Sequence, residues 1–248
     1  MTALLSVADI HTYYGDSHIL QGISFELAAG EVLGILGRNG VGKTTLLQSI
    51  LGLPVPRSGE IRFKGSVISG LPTYAIVRAG MAWVPQGHRV FPSLTVLEGL
   101  QLAARHARPG PWSLDRVLEL FPILRERGNA RAGTLSGGEQ QMLAIARALI
   151  ANPELILMDE PSEGLSPRIV DEVGDIVQRL NGEGCAILIV EQNLSFALRH
   201  TKRVLVMNKG RIVYAGRSSE LAADEQICRQ YLGVTASSAA RSSVGSEA

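Results

Sequence analysis

Eight residues near the start of the chain, Gly37-Arg38-Asn39-Gly40-Val41-Gly42-Lys43-Thr44, restrict the fold more than any other feature. An apolar, partly β-branched run at residues 32–36 leads into them, and a helical stretch at 43–51 follows, stopped by Gly52 and Pro54. A strand passing through a glycine-rich turn directly into a helix has a definite chemistry. Glycines let successive backbone N–H groups converge on phosphate oxygens, and the helix N-terminus adds partial positive charge. Lys43 would reach the β- and γ-phosphates, and the Thr44 hydroxyl would sit on Mg2+.

The rest of the chain supplies a matching frame. Residues 4–10, 23–27 and 60–63 read as short strands, and 81–84 as another apolar run. From about 91 to 150 the periodicity is helical, with Leu114, Val117, Leu118 and Phe121 on one stripe and Met142, Ile145, Ala146, Leu149 and Ile150 on another. Strands and helices then alternate. Residues 155–158 form a buried-type strand, Ser166-Pro167 starts a helix with an N-cap and a first-turn proline, and 186–190 and 203–207 are strands. Asn208-Lys209-Gly210 turns the last of these into a hairpin with 211–215. The expected fold is α/β, a P-loop NTPase core with a mainly parallel sheet, an N-terminal antiparallel β part and an inserted helical subdomain. The nucleotide-binding core would comprise 1–90 and 151–234 and the helical subdomain 91–150. The Ser/Ala-rich stretch 235–248 would be a disordered tail.

Composition removes several classes of function. Twenty-four Lys and Arg against 23 Asp and Glu give a formal charge of +1, which argues against general binding to nucleic acid or acidic lipid. The longest apolar runs are far shorter than the roughly 18–20 residues that span a bilayer, and no basic-then-apolar leader opens the chain. Any membrane connection is therefore expected through a partner. Cys185 and Cys228 stand alone, without a zinc or disulfide pattern, which fits a reducing cytoplasm.

Leu155-Ile156-Leu157-Met158-Asp159-Glu160 completes the phosphate chemistry. Two acids emerge at the C-terminal end of a buried strand, where α/β ligand sites form. Asp159 can hold Mg2+ through a water, and Glu160 is placed to polarise an attacking water as general base. Asn208-Lys209-Gly210 lacks the carboxylate of a guanine-reading element, since Arg211 follows. Adenine is favoured, and Tyr14 offers a ring on which it could stack.

Leu135-Ser136-Gly137-Gly138-Glu139 reads in two ways. Ser136 and Glu139 form a capping box. Yet two glycines in the first turn each cost about 1 kcal/mol of helix propensity, which makes sense if something anionic must approach the backbone.

Taken together, these motifs resemble the ATP-binding-cassette family over about residues 4–233. The resemblance implies that two cassettes pair head-to-tail, each ATP lying between the cradle of one and the Ser-Gly-Gly motif of the other. It makes residues 37–45, including Thr45, the Walker A loop, and residues 155–160 Walker B. Ser136, Gly137, Gly138 and Glu139 become the signature, and Tyr14 the adenine-stacking aromatic. Gln86 becomes the Q-loop glutamine, with a place on the metal and in catalysis.

Two positions depart from the common pattern. Gln192 stands where most cassettes place a histidine on the γ-phosphate; it can hydrogen-bond but cannot relay a proton. Ser166 replaces the usual D-loop aspartate while preserving the helix start. With Glu191-Gln192-Asn193 and Pro85-Gln86-Gly87, these positions resemble one ATPase subunit of importers for branched-chain amino acids, or of their urea and short-amide relatives. That resemblance implies a sister ATPase (a homodimer being possible in isolation), two permeases contacting about residues 87–99, an external binding protein acting indirectly, and residence on the cytoplasmic membrane face. A soluble cassette acting on DNA or ribosomes would carry tandem cassettes, long coiled-coil inserts or a basic surface. A small-molecule P-loop kinase would not need the segment 136–139.

Overall fold

A computed structural model describes residues 3–87 and 89–233; the expected tail at 235–248 lies outside them. In chain order, β1 (Leu5–Tyr14) and β2 (Ser17–Leu27) form a hairpin turning at Gly15-Asp16. Then β3 (Val32–Leu36) leads through the glycine loop into α1 (Lys43–Ile50), and β4 (Ser58–Phe63) and the two-residue β5 (Ser66–Val67) return to the first hairpin. These strands make an antiparallel sheet ordered β2-β1-β4-β5. After α2 (Thr73–Ala79) and β6 (Met81–Val84) come four helices, α3 (Val96–Ala104), α4 (Leu114–Leu120), α5 (Pro122–Glu126) and α6 (Gly137–Leu149). The chain then alternates through β7 (Leu155–Asp159), α7 (Pro167–Gly182), β8 (Ala186–Glu191), α8 (Leu194–His200) and β9 (Arg203–Asn208). It closes with β10 (Arg211–Arg217), α9 (Ser218–Ala223) and a short helical turn to Leu232.

The second sheet is ordered β10-β9-β3-β8-β7-β6, parallel except for β10 at its edge. Every residue of β3, β7 and β8 is buried, as expected of parallel strands covered on both faces. The two-residue period divides them cleanly. Leu33, Ile35, Leu157, Leu188 and Val190 face α1 and the antiparallel sheet, sharing a core with Ile10, Ile23, Leu46 and Leu47. Ile156, Met158, Ile187 and Ile189 face the opposite way, into Ile145, Leu149, Val173 and Val177 of α6 and α7.

The helical stretch read from periodicity is an insertion between β6 and β7. Its two stripes meet, with Val117, Leu118 and Phe121 in one core with Met142, Ile145 and Leu149. The β9–β10 turn also matches the sequence reading. Lys209 and Gly210 both have positive φ, and a Cβ on Gly210 would lie 1.9 Å from the Ile19 carbonyl oxygen, so only glycine fits.

Three helices, α2, α8 and α9, were not expected from the sequence. Asn193 caps α8, accepting from the Phe196 N–H at 3.1 Å. One expected cap is corrected. Ser166 holds the N-cap position of α7, but its side chain accepts no backbone hydrogen bond there. Pro167 fixes the first-turn φ without help and has no N–H to satisfy. Both cysteines are free and buried, and burial pushes the Cys185 thiol up to about 12. Among the described residues, no helix is long and apolar enough to cross a membrane.

Candidate functional site

The C-terminal ends of β3, β7 and β8 bring three loops together, the position where open parallel sheets bind ligands. The glycine loop is shaped by close approach. A Cβ on Gly37 would lie 2.7 Å from the Met207 carbonyl oxygen, and Gly40 and Gly42 hold φ values of 79° and 107°. No side chain caps α1, so the first-turn N–H groups at Lys43, Thr44 and Thr45 are available to an anion. Asn39 is exposed on the rim of the loop. Lys43 folds back into it, donating to the carbonyls of Gly37 (2.8 Å) and Arg38 (3.1 Å) and pairing with Glu160 Oε1 at 2.9 Å.

Glu160 reaches that position because it adopts a left-handed backbone, φ 47°, at the end of β7, where its N–H bonds the Val190 carbonyl at 2.9 Å. Beside it, the Thr44 hydroxyl donates to Asp159 Oδ1 at 3.1 Å, while Asp159 Oδ2 is buried with no partner. Burial pushes the Asp159 carboxyl up to about 6; the Thr44 bond opposes this and the Glu160 charge adds to it. An orphaned carboxylate oxygen next to a hydroxyl, with oxygen donors only, fits a hard cation such as Mg2+. Thr44 and Asp159 are the residues that could hold it. Gln86 lies just beyond β6, its amide Nε2 donating to Glu163 Oε2 at 2.7 Å.

Three residues that sequence reasoning missed also belong here. Gln141, buried on α6, donates to the Pro161 carbonyl at 3.1 Å. The buried Glu191 carboxylate accepts from the Ser162 N–H through one oxygen and from the Gln192 and Asn193 N–H groups through the other, each at 3.0 Å. Burial nevertheless raises its pKa, with the Ser162 bond pulling the other way. Glu163 is the third. Each residue of the turn Glu160-Pro161-Ser162-Glu163 is thus tied to a different segment: Lys43 at the end of the glycine loop, α6, the last residue of β8, and the loop after β6. An acid closing an apolar strand was the available signal for Glu191. Gln141 and Glu163 had none, because their partners are distant in sequence.

The remaining candidates lie around this centre. Tyr14 is half-exposed at the hairpin tip, its hydroxyl bonded to Gln48 of α1 at 2.9 Å. Gln192 is exposed at the start of the loop after β8. The segment at Ser136 is an exposed helix start with a complete capping box: Ser136 N–H donates to Glu139 Oε2 at 2.7 Å, and Ser136 Oγ accepts from Glu139 N–H at 3.3 Å. That backbone bond holds the Glu139 carboxyl below the usual range. One of the two glycines also has an internal reason. A Cβ on Gly138 would press on Ile169 carbons of α7 at 3.0–3.1 Å, whereas Gly137 is exposed. Within one chain, no hydrogen bond among the described residues joins 136–139 to 37–45.

Away from these loops, a groove of about 300 Å3 separates the insertion from the parallel-sheet core. Val77, Trp83, Phe91, Leu102 and Arg147 line it, and Phe91, Leu102 and Val77 are exposed. The Arg147 guanidinium lies 5.3 Å from the centre of the Phe91 ring.

Comparison with known proteins agrees with this geometry. A family profile described as ABC transporter matches residues 20–163. The chain is 44% identical, over 93% of its length and all of the other protein, to the high-affinity branched-chain amino acid transport ATP-binding protein BraG of Pseudomonas aeruginosa. It is 34% identical, over 93% of its length and 99% of the other, to the probable branched-chain amino acid transport ATP-binding protein LivF of Archaeoglobus fulgidus. Its fold matches the crystal structure of a nucleotide-free ATP-binding cassette from an ABC transporter, with a TM-score of 0.82 and 26% identity, covering 94% of this chain and 99% of the other.

Proposed function

This chain belongs to the ABC transporter family, as one of its ATPases, and on that footing we propose that it energises an importer of branched-chain amino acids. The observation that carries the reading is the buried cluster of Lys43, Thr44, Asp159 and Glu160 at the ends of β3 and β7. A cation for phosphate, an oxygen pair for a metal and a carboxylate for water meet there. Similarity to BraG and LivF, over nearly the full length of each, supports the cargo class.

In this reading the α1 N–H groups and the Lys43 ammonium bind the ATP phosphates, and Tyr14 stacks on adenine. Thr44 and Asp159, with Gln86, hold Mg2+. The ion, when bound, neutralises charge on the phosphate oxygens. Glu160 takes the proton of the attacking water, while Gln192 orients groups around the γ-phosphate.

Ser136 and Gly137, exposed and unconnected to this chain's own loop, serve the ATP of a paired cassette, a sister subunit or a second copy. The groove at Phe91 and Leu102 takes a segment of a membrane permease, holding the chain at the cytoplasmic face. A substrate-binding protein acts indirectly, through the permeases, and the chain binds no nucleic acid.

Reconstitution with its permeases, sister ATPase and binding protein in proteoliposomes tests the proposal. Leucine or isoleucine should stimulate ATP hydrolysis and accumulate inside. Stimulation by urea or short amides alone would move the cargo, and stimulation by no solute would end the transport reading.

A further inference from the structure

We propose that Glu163 is a positioning residue for Gln86, fixing the orientation of its amide so that the carbonyl oxygen faces the cation; this rests on the reading of Gln86 as a metal-side group. The geometry is direct. Gln86 Nε2 donates to Glu163 Oε2 at 2.7 Å across 77 positions of sequence. A carboxylate can only accept, so its partner must be the NH2 end of the amide. With that end pinned, Gln86 Oε1 is turned away from Glu163. An unpinned amide can rotate and present NH2 to a cation, which repels it. Outer groups that orient a ligand in this way commonly change metal affinity by about 10–100-fold when removed.

Glu163 is itself held. Its N–H bonds the Glu160 carbonyl at 3.1 Å, closing the turn whose other members reach Lys43, Gln141 and Glu191. The orientation of Gln86 is therefore set from the same turn that sets Glu160. The role proposed for Glu163 is exercised through Gln86.

The test is Mn2+ affinity, read by EPR, of the full chain with a nonhydrolysable ATP analogue. Glu163→Ala should weaken Mn2+ about tenfold, by the same logic of outer-group removal. Glu163→Gln, which keeps an acceptor for Gln86 Nε2 but can also donate to Gln86 Oε1, should lie between wild type and Glu163→Ala. Gln86→Ala should weaken binding as much as Glu163→Ala, and the double variant no further, because one interaction is being removed twice. Steady-state ATPase should follow, with the Glu163→Ala defect lying in the metal requirement and raised Mg2+ restoring kcat. Wild-type Mn2+ affinity in Glu163→Ala beside a weakened Gln86→Ala would overturn the proposal, as would equal defects in the Ala and Gln variants or additive losses. If Gln86→Ala is silent while Asp159→Asn loses the metal, this inference falls and the ATPase site stands. If Asp159→Asn is silent too, the metal reading of the site falls with it.

Discussion

Lys43 Nζ lies 2.9 Å from Glu160 Oε1, with 3% of the lysine side chain and 7% of the glutamate exposed. The cation meant for phosphate and the acid meant for water hold each other. A buried pair of this kind is costly to break by removing one partner, yet simple to exchange for another anion. On the proposed reading, phosphate oxygens entering the loop would supply that anion and free the carboxylate for the water, which would make binding and base release one rearrangement.

Glu160→Gln should lower the rate of phosphate release by about 10²–10⁴-fold while nucleotide affinity stays the same or tightens. The amide keeps an acceptor for Lys43, and ATP no longer competes with a charge. Gln192→Ala should cost clearly less, since the role proposed for Gln192 is only to position groups. Phosphate-release kinetics and nucleotide titration on the two variants check this, and an equal fall in both would contradict the assignment of the base.

Asp159 gives stability a pH dependence. Its carboxyl ordinarily titrates near 3.8 and is raised to about 6 in the fold. The folded chain thus binds this proton more tightly than the unfolded one. The stabilising contribution is complete below about pH 3.8 and lost as pH rises through about 6, a difference of roughly 3 kcal/mol. In EDTA without nucleotide, Asp159→Asn should melt above wild type at pH 8 and no higher near pH 4. The same difference at both pH values would dissociate the effect from this carboxylate.

The two glycines at the start of α6 should separate by experiment. Gly138→Ala presses its methyl on Ile169, which offsets the helix-propensity gain of about 1 kcal/mol, so it should be less stable than Gly137→Ala, with Ile169→Val recovering part of the difference. Gly137→Ala, at an exposed helix position, should leave the melting temperature unchanged or raise it slightly, yet impair ATP-dependent pairing of cassettes. Thermal melts and light scattering with ATP on the Glu160→Gln background would measure both effects.

The groove between core and insertion has its own readout. Leu102→Glu places a charge on an exposed apolar wall and should abolish copurification with the permeases, with the melting temperature within a few degrees of wild type. Retained copurification would exclude this surface from the docking interface.

Much of this architecture could be read from the chain because its signals are local. The glycine loop at 37–44, the strand ending in Asp159-Glu160 and the capping box at Ser136 each lie within a few residues, and β3 and β6 start and stop where the apolar runs do. Helix α8 escaped although Asn193 marks its start, because seven residues offer too little period. α2 begins at Pro72, which provides no side-chain cap. Ser166 misled for the opposite reason: the residue type suits a cap, but the hydrogen bond is not made. Glu191 was marked only as an acid closing an apolar strand, and the partners of Gln141 and Glu163 could not be read at all, being set by which loops the parallel sheet brings side by side.

The state of the two sulfur atoms opens a route to site-specific labelling. Cys185 and Cys228 are both inside the fold, and with a thiol near 12 the first has essentially no thiolate at neutral pH. Maleimide dyes or nitroxides should therefore pass over the native chain and attach only to a cysteine introduced at an exposed site. Distances between paired labels on the core and the insertion can be followed through a catalytic cycle without first mutating the natural residues away.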